Sequence, residues 1–180
     1  MQKKGSRALY IGRFQPFHKG HLKALYWILE RENEVIIGIG SAQFSHTLKN
    51  PFTLGERIEM IYSVLKQENL LTRAVIVGIP DTDNQHSIWV SLVKSFSPRF
   101  EKVYTNDPLS RQLFEENNIP TSGIPFFKRD IYKATKIREL MISDQPWEDL
   151  VPQPVAKIIK EINGVERLKK IAGSLTPQQY

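Results

Sequence analysis

The residues best placed to do chemistry lie in one short stretch, "YIGRFQPFHKGHLKAL" at residues 10–25. An apolar run ends there at Gly12, and His18 and His21 stand three residues apart where a helical pattern begins. A strand-to-helix turn presents free backbone N–H groups and the partial positive end of a helix, which together attract anions. His18 and His21 would add imidazole donors, while Gly12 and Gly20 would let backbone come close to a ligand. The chemistry this suggests is a grip on a phosphate chain. Without its surroundings the pair reads equally well as two satisfied surface histidines at a helix start. A zinc site is disfavoured because a third ligand at suitable spacing is missing: His46 and His86 are each isolated, and there is no cysteine.

The elements that must hold this turn follow from periodicity. Apolar runs of four to seven residues alternate with helical patterns, the signature of βαβ units around a parallel sheet. "ALYIG" is the first strand, followed by a helix from about Gly20 to Arg31; "EVIIGIG" is the second strand. Thr53 with Glu56 three residues on is a capping box, and Ile58, Ile61 and Leu65 then share a helical face. "AVIVGIP" is the third strand, with Trp89, Leu92, Val93 and Phe96 as the stripe of the helix after it. "KVYT" is a short fourth strand; Asp107 as N-cap with Pro108 at the first helical position starts a helix running to about Asn117. "TSGIPFFKRDIYKAT" is a loop or a weak edge strand. Three short helical patterns close the chain: Lys136–Ile142, Val155–Ile162 and, after an "NG" stop, Val165–Ala172. The expectation is one α/β domain over residues 1–180, a Rossmann-like parallel sheet with flanking helices and a C-terminal helical appendage at about 135–172.

Composition narrows the rest. A chain of 180 residues can bury a real core, and the absence of cysteine excludes disulfides and thiol nucleophiles, so a cytoplasmic location is expected. The start "MQKKGSRALYIG" has too short an apolar run for a signal segment or a membrane span, and no membrane partner is expected. A net charge of +6 suggests an anionic partner, but Lys and Arg are spread along the whole chain rather than gathered as nucleic-acid binding requires.

The stretch His18-Lys19-Gly20-His21, preceded by "GRFQPF", resembles the HxGH signature of the nucleotidylyltransferase superfamily. Further segments resemble archaeal-type nicotinamide mononucleotide (NMN) adenylyltransferases: "GSAQFSHTLKNPFTLGERIEMI", "IPDTDNQHSIWV", "VYTNDPL", "YKATKIRELM" and, near the end, "INGVERLKKIA". The resemblance runs from about Leu9 to Ala172. It implies transfer of AMP from ATP to NMN, giving NAD and pyrophosphate with Mg²⁺ and without a covalent intermediate. It also implies that His18, His21 and Arg138 act on the ATP phosphates, with Thr135 supplying a hydroxyl and Lys49 standing where relatives carry arginine. Trp89 matches a nicotinamide-stacking position and Asp81 a polar group of the same pocket; Arg13 guides a phosphate, Gly12 and Phe14 line the cleft, and Asn106 belongs to the adenosine side. Homo-oligomers of hexamer size or smaller are implied as well.

Departures and plain alternatives stand beside these roles. Lys133, Ala134 and Lys136 replace the Ser, Gly and Glu of the family motif, and Ala134 would be strained were its φ positive. Trp89 begins an apolar stripe and so reads equally as core, and Asp83 of "PDTDNQ" reads as a turn residue. Arg57 is expected to be solvated or ion-paired, and Lys169 and Lys170 to lie on a wet helix face. The rival functions are transfer of a nucleotide to pantetheine phosphate, flavin mononucleotide or a polyol phosphate, and, from another class, a nucleic-acid-binding module.

Overall fold

A computed structural model describes residues 6–128 and 130–174; the first five residues of the start "MQKKGSRALYIG" lie outside the described residues. The elements run β1 (Arg7–Gly12), α1 (Lys19–Leu29), β2 (Glu34–Ile39), α2 (Leu54–Gln67), β3 (Ala74–Gly78), α3 (His86–Phe96), β4 (Lys102–Tyr104), α4 (Pro108–Glu116) and β5 (Thr121–Ser122). Helices α5 (Ala134–Ile142), α6 (Gln153–Glu161) and α7 (Gly164–Ser174) follow, with one 3₁₀ turn at Glu148–Leu150. The strands pair in the order β3-β2-β1-β4-β5, all parallel. Such an order reverses direction between β1 and β4, and the crevice beyond their carboxyl ends is where ligands of doubly wound sheets bind.

Strand β1 shows why both faces need helices. Its residues alternate between two cores: Ala8 and Tyr10 belong to one, Leu9 to the other, all buried. Leu9 pairs in register with Ile36 and Val103, and these three meet Val90 and Val93 of α3 and Phe114 of α4. The opposite face packs under α1 and α2, and the C-terminal helices share that larger core through Ile137, Met141, Val155, Ile159 and Leu168. The stripe expected on α3 differs in phase. Val90 and Val93 are its buried residues, whereas Phe96, the last residue of the helix, is 49% exposed. The weak edge strand is real but only two residues long.

The capping box on α2 is complete, with Thr53 Oγ1 accepting from the Glu56 N–H and the Glu56 carboxylate accepting from the Thr53 N–H. Arg167 of α7 then grips both Glu56 oxygens at 2.7 Å, so one carboxylate starts α2 and ties the C-terminal helix to it. Burial alone would raise the Glu56 pKa; the Arg167 and Thr53 hydrogen bonds outweigh burial and hold it below the ordinary glutamate value. A carboxyl whose pKa is depressed by folding contributes stability above its unfolded pKa and loses it as pH falls through the folded one. Glu56→Gln, which keeps a capping acceptor and removes the charge, should therefore cost about 1 kcal/mol at neutral pH. Its melting temperature should converge with that of the native chain as pH drops below the glutamate range, a trend that paired thermal melts would check.

Candidate functional site

The turn after β1 carries a capping box built from two imidazoles. His18 is the N-cap of α1 in extended backbone, and its Nδ1 accepts the His21 N–H at 3.2 Å. In return His21 Nδ1 accepts the His18 N–H at 3.1 Å, and the two rings stack 3.5 Å apart. With Nδ1 an acceptor in both rings, each neutral imidazole carries its proton on Nε2, at the far edge of the ring from the backbone. Burial pushes the His18 pKa down to about 4, and burial followed by the neighbouring His18 charge lowers that of His21. At neutral pH the pair is uncharged and offers two Nε2–H donors.

The glycines act through close approach, since no described glycine has positive φ. A Cβ on Gly12 would lie 2.9 Å from the ring of Phe14, and one on Gly20 would lie 2.9 Å from the Tyr132 Cβ and 3.0 Å from the His18 ring. Phe14 itself takes a left-handed φ of 52°, is buried, and sets its ring edge-on against His21 at 4.8 Å. Gly12 thus makes room for the ring that supports His21.

Two cavities share His18, His21 and Tyr132. One, of about 420 Å³, is lined also by Arg13, Thr135 and Arg138; its lining contains no carboxylate. Arg138, in the second turn of α5, is buried and donates to the Gln15 carbonyl at 2.8 Å and more weakly to Thr135 Oγ1 at 3.4 Å. Burial and then the charge of Arg13 lower the Arg138 pKa, which shows how close these cations stand. Lys133 is the N-cap of α5, exposed, with φ −127°, and Ala134 escapes the positive φ that would have strained it. The other cavity, of about 240 Å³, opens at the switch point between Thr105 and Asn106 beyond β4 and the 124–127 wall. Asn106 fixes that wall with its whole carboxamide, donating to the Ile124 carbonyl and accepting the Ile124 N–H, both at 2.8 Å.

Asp81 and Trp89 line a third cavity of about 360 Å³. Asp81 accepts from Ser41 Oγ at 2.8 Å, while Gln43 pairs with both its backbone groups. Trp89 is half-buried and meets Phe114 edge-on at 5.3 Å, so it is at once the rim of a core and the wall of a pocket. Lys49 is exposed in the loop before α2 and lines none of the three cavities. Among the described residues no group of three His, Cys, Asp or Glu gathers as a metal cage.

Arg57 corrects the expectation of a solvated or ion-paired residue: it is fully buried and bonds only to backbone carbonyls. The signal was helical phase, since 57, 60, 61, 64 and 65 form the buried face of α2. Gln15 and Tyr132 also escaped sequence reading. Gln15 is buried between apolar neighbours and clips Phe52 by both backbone groups at 2.9 Å.

The sheet is parallel in the order 3-2-1-4-5 with a histidine-capped cleft at its switch point, and the cytidylyltransferase-like family model matches residues 9–140, which makes this a nucleotidyltransferase fold. The nicotinamide-nucleotide adenylyltransferase of Pyrococcus horikoshii is 52% identical over 94% of this chain and 90% of its own length. That of Thermoplasma acidophilum is 48% identical over 94% of each. A bifunctional NMN adenylyltransferase/ADP-ribose pyrophosphatase from Francisella tularensis, solved with AMP and a manganese ion, shares the fold at TM-score 0.68 and 24% identity. It covers 98% of this chain, which spans 58% of that longer one. The chain belongs to the nicotinamide-nucleotide adenylyltransferase family.

The histidine geometry has a measurable consequence. A histidine whose pKa is lowered by folding leaves the unfolded chain binding more protons, so stability is complete above the unfolded pKa and falls as pH drops toward the folded one. In the free protein His18 should titrate near 4 rather than 6.5, and long-range ¹H–¹⁵N spectra at pH 7 should show both rings as Nε2–H tautomers.

Proposed function

We propose that the chain transfers AMP from ATP to NMN by in-line attack of the mononucleotide phosphate on the ATP α-phosphorus. The new bond joins a phosphate oxygen of NMN to that phosphorus, the bond to the β-phosphate bridging oxygen breaks, and NAD and pyrophosphate leave. The observation that carries this reading is the cavity that His18, His21, Arg13 and Arg138 line together, with no carboxylate in its lining. Such a transfer asks for alignment of two anions and for fixed donors where negative charge gathers, not for a nucleophile on the protein.

His18 and His21 then donate to the ATP phosphates, Arg138 with Thr135 holds the departing end, and Arg13 guides the incoming phosphate. The pocket beside Asn106 suits the adenosine moiety, and Asp81 with Trp89 the nicotinamide ring. Support for Lys49 is its place in the "SHTLKN" loop alone. Mg²⁺ enters as part of the substrate Mg·ATP; among the described residues no group of three His, Cys, Asp or Glu gathers to hold it.

Partners in this reading are small nucleotides rather than nucleic acid; a broad groove between α1, α2 and α6 balances its five lysines with five carboxylates. Self-association into a homo-oligomer and a cytoplasmic location complete the proposal; no described helix is long and apolar enough to cross a membrane.

Mg·ATP offered with NMN, flavin mononucleotide or pantetheine phosphate should give dinucleotide and pyrophosphate fastest with NMN; faster turnover of another acceptor would reassign the substrate. His21→Ala should lower kcat by about 100-fold while costing only about 1 kcal/mol of stability for the lost cap. Steady-state rates beside a thermal melt separate the two effects. Trp89→Ala should raise KM for NMN by about tenfold, the upper part of what a ring over a cationic pyridinium contributes, with KM for ATP nearly unchanged.

A further inference from the structure

We infer that Arg57 is a positioning residue that fixes the two nucleotide half-sites against one another while lining neither; this rests on the transfer reaction proposed above. Its side chain is fully buried beneath the carboxyl ends of β1 and β2. Nη1 donates to the carbonyls of Arg13 at 2.9 Å and Gly40 at 2.8 Å, Nη2 to that of Ser41 at 3.1 Å, and Nε to that of Thr53 at 3.3 Å. One guanidinium therefore joins the segment leaving β1, the segment leaving β2 and the first turn of α2.

Each of those segments carries part of the chemistry. Arg13 leads from β1 into the turn that holds the histidines and lines the cavity beside them. Ser41 leads from β2, and its hydroxyl donates to Asp81 in the Trp89 pocket at 2.8 Å. A continuous hydrogen-bonded path, Arg13 carbonyl to Arg57 to Ser41 to Asp81, thus spans the two half-sites.

The choice of a cation for this task calls for explanation. Neutral carboxamides clip loops elsewhere around the same crevice: Gln15 to Phe52, Gln43 to Asp81, Asn106 to Ile124. A buried arginine with no carboxylate in ion-pair contact among the described residues is a costlier device. What it adds is a planar fork reaching carbonyls in three directions, which no amide or ammonium can match, and a fixed positive charge under the place where two anions must meet.

Alignment errors of about 1 Å cost on the order of 100-fold in rate while leaving binding nearly intact. Arg57→Lys should accordingly lower kcat at least 30-fold, with the dissociation constants of ATP and NMN, each measured alone by calorimetry, within fivefold of the native chain. Ser41→Ala, which leaves the guanidinium in place and cuts only its connection to Asp81, keeps the test open should the lysine variant not fold. It should raise KM for NMN at least fivefold and leave KM for ATP within twofold. A folded Arg57→Lys with native kcat, a parallel loss of both affinities and kcat, or a Ser41→Ala enzyme with native constants would overturn the positioning role. A native chain that makes no NAD from these substrates would instead overturn the reaction itself, and the role with it.

Discussion

The site depends on how the first turn of α1 satisfies its backbone. A helix start leaves N–H groups without partners, and two of those at the start of α1, His18 and His21, are met by the imidazole Nδ1 atoms of one another's residues. This settles several properties at once. The rings are held in position by the backbone itself, their protons are confined to Nε2, and burial keeps them neutral. An aspartate cap would satisfy the helix equally well but would present no donor to a ligand. The spacing of the two histidines is therefore a requirement of capping geometry, N-cap to third helical residue, before it is a requirement of phosphate binding.

Around this turn the loops are tied without introducing negative charge. Carboxamides of Gln15, Gln43 and Asn106 each pair with both the N–H and the carbonyl of a distant residue, in the manner of a missing strand partner. Two of the carboxylates near the crevice are engaged by protein donors: Asp81 accepts from Ser41, and Asp107 caps α4 through the Ser110 N–H. Glu56 is turned to Arg167 on the far side of the α2 start. The result is a cavity in which anions meet donors and cations and no fixed carboxylate.

Much of the fold was legible because it rests on local rules. Alternating apolar runs and helical patterns predicted the parallel α/β sheet, and the caps at Thr53, Asp107 and Pro108 fell where expected. At the site, the sequence marked His18, His21, Gly20, Arg13, Thr135 and Arg138, which the fold brings to shared cavities, and Asp81 with Trp89, which it places together in another. Arg57 and Gln15 were hidden because their roles are made by backbone carbonyls and N–H groups from residues 13, 40, 41 and 52, pairings that only tertiary structure creates. Gly12, read as lining the cleft, leaves the room that the Phe14 ring occupies, a contact that only the tertiary structure reveals. Trp89 could not be divided between core and pocket by periodicity, since a side chain half-buried against Phe114 answers to both.

The cations of the crevice stand in mutual opposition until an anion arrives. Arg13 disfavours the charged forms of both Arg57 and Arg138, and burial disfavours them more; the Arg57 pKa is pushed down to about 10. Even so the Arg57 guanidinium keeps its proton at neutral pH, because it starts near 12.5 and falls only to about 10. The site thus gathers guanidiniums whose repulsion Asp81 and Glu139 offset only in part, beside two imidazoles whose Nε2–H groups bond to no other described residue. In the proposed reaction a polyphosphate eases both conditions together: its charge offsets the guanidiniums and its oxygens accept from the rings. Because negative charge moves onto the departing pyrophosphate as its bond breaks, fixed donors and cations at that end would favour the transition state over the ground state.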